Sequence, residues 1–212
     1  MRRLLTLFAT LLAVEPASAA ATVIINVNVL PMTAETVIPG QTVVVDAGVI
    51  VDIGAVDTTP IPEGALVVDG TDRFLVPGLV EMHAHVPETG TESLDRVLTL
   101  FAVNGVTTVR GMLGRPSHLQ LRQTLLDGTV FGPRLITSGP SMNGNSVNGP
   151  EDARARVRAQ HAAGYDFIKI HPGLSGEEFR AIAETANELG MPFAGHVTAA
   201  VGLEAALAAG MA

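Results

Sequence analysis

The feature that most limits how this chain can fold is a fivefold alternation of apolar β-type runs with amphipathic helical stretches across its last two thirds. The first run is Leu79-Val80-Glu81-Met82-His83-Ala84-His85-Val86, approached through Pro77-Gly78. Leu94, Val97, Leu98, Phe101 and Ala102 then recur at helical spacing, with Gly105 placed to end that helix. Further strands are predicted at 106–110, 134–138, 166–170 and 193–196, and further helices at 116–126, 150–164 and 201–209. Ser175 and Glu178 have the spacing of a capping box, ahead of a helix lined by Phe179, Ile182, Ala183, Ala186 and Leu189. Gly190 and Pro192 stop it. Such alternation makes parallel strands joined by crossover helices. An open doubly wound sheet and a closed (β/α)8 barrel both satisfy it. No Gly-x-Gly-x-x-Gly follows the first strand, which disfavours a nucleotide-binding sheet. A barrel takes eight units, and the 212 residues hold five.

Residues 22–74 read differently. Val23-Ile24-Ile25, Gln41-Thr42-Val43-Val44-Val45, Val49-Ile50-Val51-Asp52-Ile53 and Leu66-Val67-Val68 are short β-branched runs divided by turn residues. Asp46-Ala47-Gly48 predicts a tight hairpin. This is a small β domain with no His or Lys. Ahead of it, Arg2 and Arg3, an apolar run at 4–14 and Ala17-Ser18-Ala19 have the pattern of a signal peptide cut after Ala19 or Ala20. The expected organisation is a signal peptide at 1–20, a β domain at 21–75 and an α/β part at 76–212. The protein is expected to be exported, periplasmic or secreted, with no membrane association after cleavage. A net charge of −8 without any basic run argues against nucleic acid and anionic membrane surfaces as partners. The absence of Cys excludes disulfides and thiol catalysis.

Chemistry concentrates at the ends of the predicted parallel strands. His83 and His85 share one face of a strand, about 6–7 Å apart along it. Two imidazoles so placed can share a metal ion, the alternative being two solvated or packed histidines. Lys169 is the only Lys, the other twelve basic residues being Arg, and it lies between Ile168 and Ile170. Burial lowers a lysine pKa, and a neutral amine can add carbon dioxide to give a carbamate, an anionic ligand able to bridge two metals. The alternative is a lysine reaching solvent or a carboxylate. His196 ends the next strand, so these residues gather at the C-terminal edge where α/β barrels carry their sites.

These residues carry a resemblance. Residues 76–85, Val-Pro-Gly-Leu-Val-Glu-Met-His-Ala-His, are joined by Gly-Val-Thr-Thr-Val-Arg at 105–110, Asp-Phe-Ile-Lys-Ile at 166–170 and Pro-Phe-Ala-Gly-His-Val at 192–197. Together they resemble the amidohydrolase superfamily, in particular its imidazolonepropionase-like and Xaa-Pro dipeptidase-like branch. The resemblance implies a distorted (β/α)8 barrel beside a small β-sandwich, here with about five of eight units. It implies two divalent ions, zinc the expected metal, with His83 and His85 on the more buried ion and His196 on the other. Lys169, carbamylated, would bridge them. A hydroxide shared by the pair would attack an amide, as in a dipeptide, or an ester. Hydrolysis of lactones, esters or organophosphates is the alternative within the superfamily. A catalytically inactive metal-binding protein and an unrelated α/β binding module are the alternatives beyond it. The partner is a small-molecule substrate, and a homo-oligomer is compatible with the reading.

Two departures accompany the resemblance. The family also uses a His after strand six and a proton-shuttling Asp after strand eight. The sequence stops where strand six is expected, so the chain is expected to be C-terminally truncated and inactive alone. Gly111 stands where the family often has Asp. Among the remaining polar residues, His171, Arg110 and Ser138 are candidates to touch substrate, a solvated loop position being the alternative for His171. Glu81 is expected in the barrel floor, His161 in helix packing and His118 on an outer helix surface. Mass spectrometry of the mature protein is expected to find the first 19 or 20 residues removed; retention of Met1 or Arg2 would sink the signal-peptide reading.

Overall fold

A computed structural model describes residues 20–212; the predicted signal segment, apart from Ala20, lies outside the described residues. The described residues divide into two compact units, the second being Gly78–Ala212 and the first ending at Pro77.

The first unit is built on β1 (Thr22–Val29), whose Val23, Val27 and Val29 are buried. β2 (Ile38–Asp46) pairs antiparallel with β1, and β3 (Val49–Ala55) pairs antiparallel with β2. The β2–β3 link is the predicted hairpin. Asp46 faces Val49, and Ala47 and Gly48 both have positive φ, 47° and 78°. Two left-handed residues in a two-residue loop match the twist of the strands they join. β4 (Leu66–Asp69) and β5 (Phe74–Leu75) both pair parallel with β1. The described strands form one sheet in the order β3-β2-β1-β4, with β5 also on β1. A sandwich takes two sheets, and one is seen among the described residues. Its core is Val27, Val29 and Val43, with Ile24, Val45 and Leu75 against them.

The second unit alternates as its pattern predicts. β6 (Leu79–Ala84), α1 (Glu92–Val103), β7 (Val106–Gly111), α2 (Ser117–Leu126) and β8 (Arg134–Thr137) come first. α3 (Pro150–Ala163), β9 (Ile168–Ile170), α4 (Gly176–Glu188), β10 (Phe193–Gly195) and α5 (Leu203–Ala208) follow. β6, β7 and β8 pair parallel in order, as do β9 and β10. Parallel bridges Ser138–Phe167 and Met142–Ile170 carry the sheet from β8 to β9. After α5 the backbone N–H of Ala212 donates to the Phe193 carbonyl at 3.1 Å, so the chain re-enters the sheet beside β10. The sheet does not close into a barrel among the described residues: five of the eight strands are present, all parallel.

Two apolar clusters hold the helices on one face of this sheet. Leu94 and Leu98 of α1 meet Ala84, Val109 and Leu135 with Leu121 and Leu125 of α2. Ile168, Ile170 and Phe193 meet Ala153 and Val157 of α3, Phe179 and Ile182 of α4 and Ala206 of α5. Both halves of the capping box on α4 form, Ser175 Oγ accepting from the Glu178 N–H and the Glu178 carboxylate from the Ser175 N–H. The opposite face carries Met112, Ile136, Phe167 and Ala194.

Two expectations are corrected here. His118 is fully buried, not on an outer surface, because a ring nitrogen lies 3.2 Å from the Pro87 carbonyl and draws α2 onto the loop after β6. His161 is exposed, not packed: α3 buries only Ala153 and Val157, and the face has turned to solvent by the last turn. No helix among the described residues is long and apolar enough to cross a membrane. Ile182→Ala removes a fully buried side chain from the α3–α4–sheet cluster and should cost about 2–5 kcal/mol in urea unfolding, read as a lower midpoint. A loss below about 1 kcal/mol would mean that α4 is not docked as described.

Candidate functional site

Strand alternation sets the site. Ile168 and Ile170 belong to the helix-side cluster, so Lys169 between them points to the other face, with Phe167. Opposite Lys169 on β10 stands Ala194, a small side chain, and Gly195 stands opposite Ile170. Gly195 has φ +141°, and a Cβ there would lie 2.2 Å from the Ile170 carbonyl oxygen. Only glycine allows this approach, which brings the His196 N–H to 3.0 Å from the same oxygen.

Lys169 is 0% exposed, and its amine has no hydrogen-bond partner. Burial pushes its pKa below the ordinary lysine value, and the Arg110 guanidinium pushes it further. Around it gather four imidazoles. The rings of His83 and His85 are 5.4 Å apart, those of His83 and His196 6.4 Å, and those of His171 and His196 4.8 Å. His83, His85 and His196 are exposed and His171 is half-buried. Loss of solvent lowers the His83 pKa first, followed by the positive fields of Lys169, His85, His196 and Arg110. For His171 the order is burial, then Lys169, His196, His85 and His83. A shift of this sign keeps imidazole in the neutral form that binds metals.

Arg110 donates from Nε to the Met82 carbonyl at 2.8 Å, tying β7 to β6, and its guanidinium lies 5.9 Å from the centre of the Phe167 ring. Glu81 Oε1 accepts from the His83 N–H at 2.7 Å. Ser138 donates to the Gly111 carbonyl at 3.2 Å and accepts from the Gly114 N–H at 3.1 Å. That leaves its hydroxyl one lone pair for anything else. Sequence reasoning missed Ser141, which reaches His171 from the loop at 139–149, and Asn143 behind it. The His171 Nδ1 and Ser141 Oγ lie 3.1 Å apart. The signal was there: a polar loop directly follows a strand whose C-terminal end faces the site. A cavity of about 320 Å³ between α4 and α5, lined by Phe179, Ala183, Val201 and Ala205, shares no residue with this cluster.

Whether these residues suit a metal turns on the lysine. Among the described residues, no three His, Asp or Glu side chains by themselves form a set able to hold an ion. What the histidines surround is an amine with no partner, and neutral imidazoles supply no anion. A Lys169 carrying an acidic group would complete the donor set, so the residues fit a metal site on that condition.

The histidines and the lysine thus gather at the C-terminal ends of parallel strands in an α/β unit. Residues 74–211 match the profile described as Amidohydrolase family, and the chain belongs to that family. Adenine deaminase 3 of Rhizobium meliloti (strain 1021) is 26% identical over 174 residues, 76% of this chain and 29% of that protein. A candidate prolidase from Bifidobacterium longum superposes with a TM-score of 0.78 at 26% identity, covering 92% of this chain and 53% of its own. A Xaa-Pro dipeptidase with methionine bound in its active site gives 0.73 at 23% identity, covering 91% and 60%, a likeness of fold. The chain thus spans less than two thirds of each of these relatives.

His83, His118 and His171 all have lowered pKa values, burial leading in each case. The unfolded chain then binds more protons than the folded one below about pH 6.5, so stability is full above that value and falls as pH drops through the folded pKa values. Urea midpoints of the metal-free protein should decline from pH 7 toward pH 5, and His118→Gln should flatten the decline. A midpoint independent of pH over that range would contradict the shifts.

Proposed function

We propose that this chain carries the larger share of a binuclear metal site that hydrolyses C–N bonds in small amides, dipeptides foremost. The observation that carries the reading is the buried, unpartnered Lys169 amine whose field reaches His83 and His171, the rings of which neighbour His85 and His196. His83, His85 and His196 would hold the ions, with Lys169 as the shared ligand in carbamate form. Two divalent ions, zinc the expected pair, supply when bound an activated water and a Lewis acid for the carbonyl. The chain's own residues do the rest. The interior position of Lys169 shifts its amine toward the neutral form, whose lone pair could add to the carbon of carbon dioxide with release of one proton. Glu81 fixes the β6 backbone at His83, and Arg110 locks β6 to β7, so the two histidines are held before an ion arrives.

The dipeptide preference rests on likeness to prolidase and Xaa-Pro dipeptidase structures, whose names refer to such substrates. Adenine deaminase, the named activity of another relative, also breaks a C–N bond. Export to the periplasm or medium is part of the proposal and rests on the leader pattern at 1–20. In the full-length protein, Lys169→Ala should lower bound metal from about two ions to one or none and abolish amide hydrolysis, because the cations would lose the anionic ligand that lysine would supply. Metal analysis and turnover check this, and added short carboxylic acids should restore part of both. Unchanged metal content and turnover would remove the lysine from the site.

A further inference from the structure

We infer that His171 is a hydrogen-bond donor to the substrate, held in one tautomer by Ser141 and Asn143, and that it is not a metal ligand. The inference deepens the metal-hydrolase reading and rests on it.

The polarity of a short hydrogen-bond chain decides the point. Asn143 Oδ1 accepts from the backbone N–H groups of Asn145 at 2.9 Å and Ser146 at 3.1 Å. With its oxygen so engaged, the amide must turn its Nδ2 outward, where it meets Ser141 Oγ at 3.5 Å. Ser141 Oγ therefore accepts a hydrogen bond from the Asn143 amide and has its own hydroxyl proton to donate. The acceptor within reach is His171 Nδ1 at 3.1 Å. If His171 carried its proton on Nδ1, two donors would converge on Ser141 and the hydroxyl proton would have no protein acceptor among the described residues. The satisfied arrangement runs from backbone N–H to Asn143, to Ser141, to His171 Nδ1, and leaves the proton on Nε2.

An Nε2 that bears a proton cannot offer a lone pair to a metal. It can donate, and it has no protein partner among the described residues. Its ring stands 4.8 Å from that of His196, within the cluster. The loop cannot swing away easily, because Met142 donates to the Lys169 carbonyl and His171 donates to the Met142 carbonyl, each at 2.8 Å. His171 thus presents a fixed N–H beside the site, suited to a carbonyl or carboxylate oxygen of an acyl substrate. Ser141 and Asn143 are positioning residues.

Nitrogen-15 NMR of the histidine rings in the full-length protein tests this, above the pH range where imidazole protonates. The His171 signals should show a bare Nδ1 and a protonated Nε2, before and after zinc is added, while His83, His85 and His196 respond to zinc. Asn143→Asp replaces the donor with an acceptor and should reverse the His171 tautomer. Ser141→Ala should leave a mixture, and Ser141→Thr should preserve the wild-type signals. His171→Phe should lower kcat/KM about a hundredfold with bound zinc unchanged. A protonated Nδ1 in the wild type, or an Nε2 that loses its proton to zinc, would overturn the inference. If zinc moved none of the histidines, the metal reading would fail instead, with the metal-free spectrum still deciding the tautomer.

Discussion

Placing an ammonium inside a protein without a partner costs several kcal/mol, so an amine as fully enclosed as that of Lys169 constrains everything packed around it. The chain could have avoided the cost with a leucine. A lysine kept there has its amine pushed toward the neutral form, by burial first and then by Arg110. Ile168 and Ile170 commit the strand to the helix layer, which forces the lysine onto the other face. Ala194 across the ladder leaves room for a long side chain. Gly195 draws β10 against β9 at a separation that a Cβ would prevent.

Burial is graded across the site. Lys169 is dry, His171 half-buried, and His83, His85 and His196 are open to solvent. A dry amine favours the neutral nucleophile, while wet imidazoles exchange ligands and meet solutes. The lysine sits on an inner strand, between β8 and β10, while β6 with His83 and His85 lies at the sheet edge among the described residues.

Much of this was legible in residue order, and the exceptions share a cause. Helices with a wide apolar stripe, such as α4 with Phe179, Ile182, Ala183 and Ala186, announce themselves, and their glycine stops place the strands between them. His-x-His and a solitary lysine in an apolar strand likewise show in the sequence alone. What could not be read depended on partners far along the chain. His118 is buried by the Pro87 carbonyl, 31 residues away. Asp166 accepts both the Thr137 N–H and the Arg122 guanidinium, joining β8, α2 and the approach to β9. β4 and β5 pair parallel with β1, an arrangement that local turn residues do not encode. Periodicity reports which face is wet; it does not report which backbone carbonyl will arrive from elsewhere.

The charge pattern of the cluster makes a last point. Arg110 stands beside Lys169 and the histidines with no acidic partner among the described ion pairs. The one carboxylate on the same strand face, Glu81, has an oxygen occupied by the His83 N–H. Arginine is always charged, and its guanidinium keeps donors free after Nε is spent on Met82. Among the described residues the cluster is therefore short of negative charge. On the proposed reading, divalent cations would deepen the imbalance and an anion would have to accompany them. A carbamate on Lys169 would meet that need from within the chain, and a carboxylate on the substrate would meet it from outside.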